Sequence, residues 1–237
     1  MVADTSEVGA VAESAVWELL RSNPEAVLGV ATGSTPGPLY QALASRGKKF
    51  PTVQAFALDE YCGIDASDPN SYRSTLLREF ARPLGIPAEH VHVPSTSNDC
   101  KDNAADYESS ISEAGGIAVQ ILGVGTNGHI AFNEPGSSFE SRTRVVELTE
   151  RTRRDNSRYF PSISDVPRSA LTQGIGTILE ARKLVVMAFG VGKAAAVAAA
   201  LEGPVTTDVP ASAIQTHPDV IVCLDLAAAS SLTRSHR

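Results

Sequence analysis

The sequence predicts a single-domain, three-layer α/β/α sandwich around a mainly parallel β-sheet, spanning residues 1–237. Short apolar runs typical of buried strands alternate along the chain with segments of helical periodicity. The 237 residues, 43% apolar and 20% charged, suffice for one such domain. No internal repeat or low-complexity linker divides them.

Each element follows from the periodicity of its apolar residues and from the residues that flank it. In residues 5–20, a capping Thr5 or Ser6 precedes apolar side chains at helical spacing, which predicts a helix. An alanine-rich run that stops at Gly203 and Pro204 predicts another. The predicted helices cover 5–20, 37–45, 71–80, 103–114, 150–158 and 192–203. The predicted strands cover 26–31, 53–58, 91–93, 117–125, 144–148, 183–190 and 220–225, and a connection runs through Pro161 and Pro167.

The charge balance limits the expected partners. The formal net charge is −7, so no global basic field attracts nucleic acid or an anionic membrane surface. An anionic substrate would need a local basic pocket. The first residues carry Asp4 and Glu7 where a signal peptide has positive charge, and no apolar run is long enough to span a membrane. We therefore expect a cytoplasmic protein that binds neither nucleic acid nor membrane.

Cysteine spacing favours neither a metal site nor a disulfide framework. Cys62, Cys100 and Cys223 are far apart, with no Cys-x-x-Cys pair and no histidine at ligand spacing. A reducing cytoplasm fits this pattern, and Cys62 is expected to be a buried structural thiol.

Polar, glycine-rich segments follow four of the predicted strands. The segments TGSTPG, DEY, TNGHIAFNEP and VGK come directly after AVLGVA, VQAFAL, IAVQILGVG and KLVVMAFG, respectively. Ligands of open α/β sheets bind beyond the carboxyl ends of the strands. The sequence therefore predicts that these segments form one site.

The first segment has the composition of a phosphate-binding turn. Thr32, Gly33, Ser34 and Thr35 precede a helix that starts near Pro36, so hydroxyls and free backbone N–H groups meet at a helix N-terminus. The alternative is an ordinary capped turn. No Gly-Lys-Ser or Gly-Lys-Thr follows, so the segment is not a P-loop.

Basic residues near two later strands could complete an anion site. Lys193 follows a strand and opens a helix, where it could add a point charge or be solvated. Six arginines form a dense group for an acidic protein, namely Arg142, Arg144, Arg151, Arg153, Arg154 and Arg158. Most are expected to be exposed, and one could clamp a phosphate.

Two segments carry side chains suited to proton transfer. Asp59 and Glu60 end a strand where a carboxylate can act as general base, although one of them could instead cap the next segment. In GVGTNGHIAFNEPG, His129 lies within eight residues of Asn127 and Glu134 on a glycine-shaped turn. A histidine with an acidic partner is a proton-transfer unit.

In this order and spacing the motifs TGSTPGPLY, LDEYCGI, SYRSTLLREF, GVGTNGHIAFNEPGSSFESRTR and NSRYF closely resemble the glucosamine-6-phosphate deaminase (isomerase) family. The resemblance covers nearly the whole chain. The related 6-phosphogluconolactonases share the Gly-His core but do not continue with Phe-Asn-Glu-Pro. A lactonase-like hydrolase and a non-catalytic sugar-phosphate-binding regulator stay as alternatives.

The resemblance implies a modified Rossmann-like fold that converts glucosamine 6-phosphate and water into fructose 6-phosphate and ammonia, without organic cofactor or metal. By this resemblance His129 opens the sugar ring, with Asn127 and Glu134 positioning it. Asp59 moves the C2 proton to C1. The phosphate would be held by Thr32, Gly33, Ser34, Thr35, Arg158 and Lys193, with the remaining arginines solvated.

The chain departs from the long members of this family at two places. They have aspartate where Asn127 stands, and an amide can accept a hydrogen bond from the imidazole but cannot balance its charge. Their allosteric site uses a lysine where Val146 stands, although Ser137, Ser138 and Arg144 remain. With its short N-terminal segment, the chain is expected to be non-allosteric, and a monomer or small homo-oligomer.

Overall fold

The computed structural model describes residues 5–96 and 103–234. Its strands are β1 Val27–Val30, β2 Gln54–Ala57, β3 Asp59–Tyr61, β4 Val91–His92, β5 Val119–Gly123, β6 Arg144–Glu147, β7 Ser169–Thr172, β8 Lys183–Ala188 and β9 Val220–Leu224. Its α-helices are α1 Thr5–Ser22, α2 Gly37–Ser45, α3 Tyr72–Leu76, α4 Arg82–Leu84, α5 Asn103–Glu113, α6 Glu150–Asn156, α7 Ile175–Leu179 and α8 Ala194–Glu202.

The main sheet is parallel and has six strands in the order β4-β2-β1-β5-β8-β9 among the described residues. From β1 the chain moves outward through β2 to one edge, whereas from β5 it moves through β8 and β9 to the other. Because such crossovers are right-handed as a rule, connections in opposite directions place helices on both faces of the sheet. The α/β fold class is confirmed, and β1 and β5 flank the point where the strand order reverses.

A second sheet was not predicted. It is antiparallel, with three strands in the order β3-β7-β6. Only Leu58 lies between β2 and β3. The sequence therefore looks like one continuous strand at the point where the chain passes from the main sheet into the second sheet. The connection through Pro161 and Pro167 contains β7, four residues long, and is followed by α7. Both are too short to give a clear periodic signal.

Helix α1 packs on the main sheet through one apolar stripe. Val8, Ala12, Val16 and Leu20 recur at every fourth position and are fully buried. Fully burying a large apolar side chain contributes about 1.5–3 kcal/mol. Close packing against α2 depends on Gly9, because a Cβ there would come within 2.7 Å of Pro38.

A smaller core lies beside the second sheet. It consists of the buried residues Tyr61, Phe132, Leu148 and Ala170. Tyr61 comes from β3 and Phe132 from the loop after β5, so this cluster joins two segments that were predicted to form the site.

Several boundaries differ from the prediction. The helix predicted over 71–80 continues through a π-helical turn, Leu77–Ala81, into α4 and ends at Gly85, whose φ is +67°. The helix predicted over 150–158 is α-helical only to Asn156 and continues as a 3₁₀ turn, Ser157–Tyr159. A further 3₁₀ segment, Pro210–Thr216, was not predicted.

The cysteines differ in their surroundings. Cys223 is buried, and burial raises the pKa of its thiol to about 11. Cys62 is half-buried, so the prediction of a buried thiol is wrong for it, and Cys100 lies outside the described residues. Over the described ranges, no helix is both long and apolar enough to cross a membrane, and no three His, Cys, Asp or Glu side chains cluster as metal ligands.

Candidate active site

A cavity of about 690 Å³ lies at the carboxyl ends of the parallel strands, between the loops that follow β1 and β5. The predicted site residues that line it are Thr32, Gly33, Ser34, Thr35, Asp59, His129, Arg158 and Lys193. Asn127 and Glu134 are not among its lining residues. Asn127 contacts the backbone of His129, and Glu134 faces Nδ1 of its ring. The four segments predicted to converge therefore do so.

The loop after β1 is fixed at its start. The Tyr40 hydroxyl donates to the carbonyl of Ala31 at 2.8 Å, and the backbone N–H of Ala31 donates back to that hydroxyl at 3.2 Å. Gly33 then has φ of +89°, which glycine adopts without strain. The turn leads directly into the N-terminus of α2, whose first backbone N–H groups favour an anion.

Asp59 is the first residue of β3 and lines the cavity although it is only 8% exposed. Burial, followed by the neighbouring charge of Glu60, raises the pKa of its carboxyl to about 8. A carboxyl group with a pKa close to neutrality is suited to both accept and return a proton.

Glu60 points away from the cavity and caps a helix. Its carboxylate accepts hydrogen bonds from the backbone N–H groups of Tyr61, Tyr72 and Arg73 at 2.9 to 3.0 Å. The last two belong to the first turn of α3. The sequence left open which of the two carboxylates caps the next segment. In the structure Glu60 takes that part, and Asp59 stays in the cavity.

The glycines of the β5 loop make room for His129. A Cβ at Gly125 would lie 2.4 Å from Cε1 and Nε2 of the His129 ring, so only glycine allows the imidazole to pack there. Gly128 has φ of +83° and turns the chain immediately before His129. The glycine-rich composition is thus explained by a close approach and a tight turn.

Asn127 contacts Glu134 and the backbone of His129 rather than its ring. The Asn127 amide Nδ2 donates to Glu134 Oε2 at 2.6 Å, and Asn127 Oδ1 accepts from the His129 backbone N–H at 3.2 Å. The expected hydrogen bond from imidazole to the Asn127 amide is therefore not the one formed. Glu134 Oε2 lies 3.8 Å from His129 Nδ1, a buried nitrogen without a hydrogen-bond partner in the described part of the chain.

The surroundings of His129 favour its neutral form. Burial lowers the pKa of the imidazole, Glu134 and Asp155 raise it, and Lys193 and Arg151 lower it, with a net decrease. A neutral imidazole can accept a proton at neutral pH.

Two cationic side chains, Lys193 and Arg158, form a basic wall of the cavity. Burial lowers the pKa of Lys193, Asp155 raises it, and Arg158 and Arg151 lower it again. Positive neighbours thus disfavour the charged form of Lys193, and Arg151 reaches the same region through its bond to Thr126, another lining residue. Together with the α2 N-terminus, this wall suits an anionic group.

Most of the six arginines are exposed, as expected, namely Arg142, Arg151, Arg154 and Arg158, whereas Arg144 and Arg153 are half-buried. Several of them nevertheless have specific partners. Arg142 pairs with Glu108 and Glu180. Arg144 Nη1 donates to Asn133 at 2.8 Å, and Arg153 Nη2 donates to the carbonyls of Ile163 and Val166. Arg151 Nη2 donates to Thr126 Oγ1 at 2.7 Å. Arg154 pairs with Glu150 on an exposed helix face.

Sequence reasoning missed several residues around the site. Thr152 Oγ1 donates to Glu134 Oε1 at 2.5 Å, and Asn156 Nδ2 donates to the Tyr61 hydroxyl at 2.8 Å. Asn133 is fully buried and its Nδ2 donates to the carbonyls of Ile130 and Gln173, which ties the His129 loop to the end of β7. Only one local signal for these residues was present in the sequence: Thr149, which is the N-cap of α6, the helix that carries Thr152 and Asn156.

The chain is similar to known proteins over nearly its whole length. A family model for glucosamine-6-phosphate isomerases and 6-phosphogluconolactonases matches residues 4–222. A glucosamine-6-phosphate deaminase of Arthrobacter sp. (strain FB24) is 51% identical over 233 residues, covering 96% of this chain and 90% of that protein. The deaminase of Streptomyces coelicolor is 50% identical over 238 residues, covering 98% and 91%.

Solved structures agree with this. A monomeric glucosamine-6-phosphate deaminase superposes with a TM-score of 0.93 at 40% identity and covers 97% of both chains. A 6-phosphogluconolactonase from Trypanosoma cruzi superposes with a TM-score of 0.79 at 22% identity, covering 99% of this chain and 96% of that one. The second similarity concerns the fold alone.

Proposed function

The chain belongs to the family of glucosamine-6-phosphate isomerases and 6-phosphogluconolactonases, and we propose that it is a glucosamine-6-phosphate deaminase. The reaction converts glucosamine 6-phosphate and water into fructose 6-phosphate and ammonia. The observation that carries the proposal is 50–51% identity, over nearly the whole chain, to relatives named as deaminases. The Phe-Asn-Glu-Pro continuation of the histidine motif supports it.

His129 is the proposed group for ring opening. Its lowered pKa provides the neutral imidazole that takes the proton of the anomeric hydroxyl and passes it to the ring oxygen as the bond between C1 and that oxygen breaks. The negative charge of Glu134, 3.8 Å from Nδ1, then stabilises the imidazolium that forms. Asn127 orients Glu134 in this scheme, rather than contacting the ring.

Asp59 is the proposed base at the open-chain aldehyde. Its carboxylate removes the proton from C2 while one proton of the substrate's ammonium group passes to the C1 oxygen, which gives a neutral enolamine. Return of that proton to C1 produces an iminium ion at C2, and water displaces ammonia from it. A positioned base typically contributes about 10² to 10⁴ in rate. A protonated amino group beside Asp59 would favour its ionised form.

The phosphate is assigned to the basic wall. Thr32, Gly33, Ser34 and Thr35 offer hydroxyls and backbone N–H groups at the start of α2, and Arg158 and Lys193 offer positive charge. Binding energy at this remote group holds the reacting carbons against Asp59 and His129.

The protein is proposed to act as a monomer without an organic cofactor or metal, in the cytoplasm. A similar solved structure, 40% identical to this chain, is that of a monomeric deaminase. Val146 pairs with Ala170 and packs against the core beside the second sheet, which supports the absence of an allosteric site there. A charged sugar phosphate does not cross a membrane unaided, which favours the cytoplasm.

Two measurements test the monomeric, non-allosteric state. Light scattering should give a mass near 24.9 kDa, and N-acetylglucosamine 6-phosphate should leave hyperbolic kinetics unchanged.

The test is to offer two substrates side by side. Ammonia and fructose 6-phosphate should form together from glucosamine 6-phosphate, whereas 6-phosphogluconolactone should not be hydrolysed above its spontaneous rate. Enzymatic hydrolysis of the lactone without ammonia release from the amino sugar would instead identify a lactonase. Binding of glucosamine 6-phosphate without turnover of either compound would indicate a regulator.

A further inference from the structure

The two carboxylate oxygens of Glu134 have different neighbours. Oε1 accepts a hydrogen bond from Thr152 Oγ1 at 2.5 Å, with a longer contact from Thr149 Oγ1 at 3.4 Å. Oε2 accepts from Asn127 Nδ2 at 2.6 Å and faces His129 Nδ1 at 3.8 Å. Helix α6 therefore holds one oxygen while the other faces the imidazole.

Thr152 is itself held in place. Its backbone N–H donates to Thr149 Oγ1 at 3.1 Å, which is the N-cap bond of α6, and the Thr149 hydroxyl donates to Thr152 Oγ1 at 3.0 Å. Because Thr152 Oγ1 accepts the hydrogen bond of the Thr149 hydroxyl, the Thr152 hydroxyl can donate its own hydrogen bond to Glu134. The side chain is 7% exposed and lines the cavity, so water competes little for this bond.

We propose that Thr152 is a positioning residue for this reaction: its hydroxyl holds Glu134 in the orientation that presents Oε2 to His129. The inference rests on the proposed function, since the orientation matters when His129 transfers a proton. Six residues further along the same segment lies Arg158, the proposed phosphate ligand. The residue that orients Glu134 thus belongs to the segment that would contact the far end of the substrate.

Loss of this hydroxyl has a predictable effect on His129. The charged groups that act on the imidazole are Glu134 and Asp155, which raise its pKa, and Lys193 and Arg151, which lower it. Without the Thr152 bond to Oε1, Glu134 is held mainly by Asn127 at Oε2. A less firmly held carboxylate near Nδ1 contributes less, whereas burial and the two cations remain. The pKa of His129 should therefore fall further.

The test is Thr152→Val, which removes the hydroxyl at nearly constant volume, compared with Thr152→Ser, which keeps it. Thr152→Val should lower kcat about tenfold to a hundredfold, as expected for losing a hydrogen bond to a charged group, with KM within about threefold. NMR titration should show a lower pKa for the His129 imidazole, identified by its loss in His129→Gln. Thr152→Ser should restore both values.

A matched control is Thr177→Val. The Thr177 hydroxyl also donates to a glutamate at 2.5 Å, Glu108, and Thr177 is 3% exposed and does not line the active-site cavity. This control should lose stability without changing kcat or the His129 titration.

Three results would overturn the inference: an unchanged kcat and titration in Thr152→Val, no recovery in Thr152→Ser, or an equal loss of kcat in Thr177→Val. Failure of the proposed function is a separate outcome, because native protein would then release no ammonia.

Discussion

The side-chain amide of Asn127 donates a 2.6 Å hydrogen bond to Glu134 Oε2, the carboxylate oxygen that faces His129. Its Oδ1 accepts from the backbone N–H of His129 at 3.2 Å. A neutral amide thus orients both members of the proton-transfer pair without adding charge to it. The consequences of changing that amide follow from this geometry.

Replacing Asn127 with aspartate adds a negative charge beside His129. We expect the pKa of the imidazole to rise and the pH profile of kcat to move upward, because a second carboxylate favours imidazolium. Repulsion between the introduced carboxylate and Glu134 would also disturb their contact unless one carboxyl holds a proton. Asn23→Asp adds the same charge at an exposed position and is the control. An unmoved titration would show that positions 127 and 129 do not interact.

Gly125→Ala should displace the imidazole. The added Cβ would lie 2.4 Å from the His129 ring, so the ring must move. We expect kcat to fall by about 10² or more, similar to losing a positioned base. Gly116→Ala is the control, because Gly116 has φ of +76° in a turn before β5 and does not line the cavity. It should lose about 1–2 kcal/mol of stability and keep its kcat. Full activity in Gly125→Ala would contradict the ring position described above.

Arg158→Ala should weaken substrate binding more than it slows the chemistry. Losing a charged hydrogen bond costs about 1.5–3 kcal/mol, so KM should rise by roughly 10- to 150-fold. Arg154 lies in the same helical segment but pairs with Glu150 on the exposed face, and Arg154→Ala should change KM less than about twofold. Equal effects of the two substitutions would assign the phosphate elsewhere.

The raised pKa of Asp59 predicts how stability varies with pH. In the folded state this pKa is about 8, against an ordinary value of 3.8. The folded protein therefore binds more protons between these values, and the free energy of unfolding falls as pH rises from about 4 to about 8. Asp59→Asn removes this titration and should be more stable than native protein at pH 9, by on the order of a few kcal/mol.

Thermal unfolding at pH 5 and pH 9 measures that difference. Asp208→Asn changes an exposed aspartate and should follow the native protein at both pH values. If Asp59→Asn gains no stability at pH 9 relative to native protein, the carboxyl of Asp59 is not held in a desolvated site.

The main sheet could be predicted because its strands are continuous apolar runs with helices between them. The second sheet could not, since β3 follows β2 after Leu58 alone and β7 is four residues long. Pairing of Asp59 with Thr172 is a contact between distant parts of the chain that neither local segment encodes.

The site was predictable in its location and less so in its contacts. Positions after strand ends indicated where Thr32, Asp59, His129 and Lys193 would meet, because parallel strands share one carboxyl edge. The direction of the Asn127 amide depends on Glu134. Thr152 contacts Glu134 because α6 lies beside the loop that follows β5. Such side-chain directions arise from tertiary packing rather than from spacing.

The most direct test of the central claim is ammonia release from glucosamine 6-phosphate by native protein and by Asp59→Asn. Both are measured at pH 9, where the Asp59 carboxyl, with its pKa of about 8, is mostly ionised. We predict that native protein turns the amino sugar over and that the variant loses about 10² or more in kcat, with KM within a few fold. A variant that retains kcat within about tenfold of the native value would contradict the assignment of Asp59 as the base.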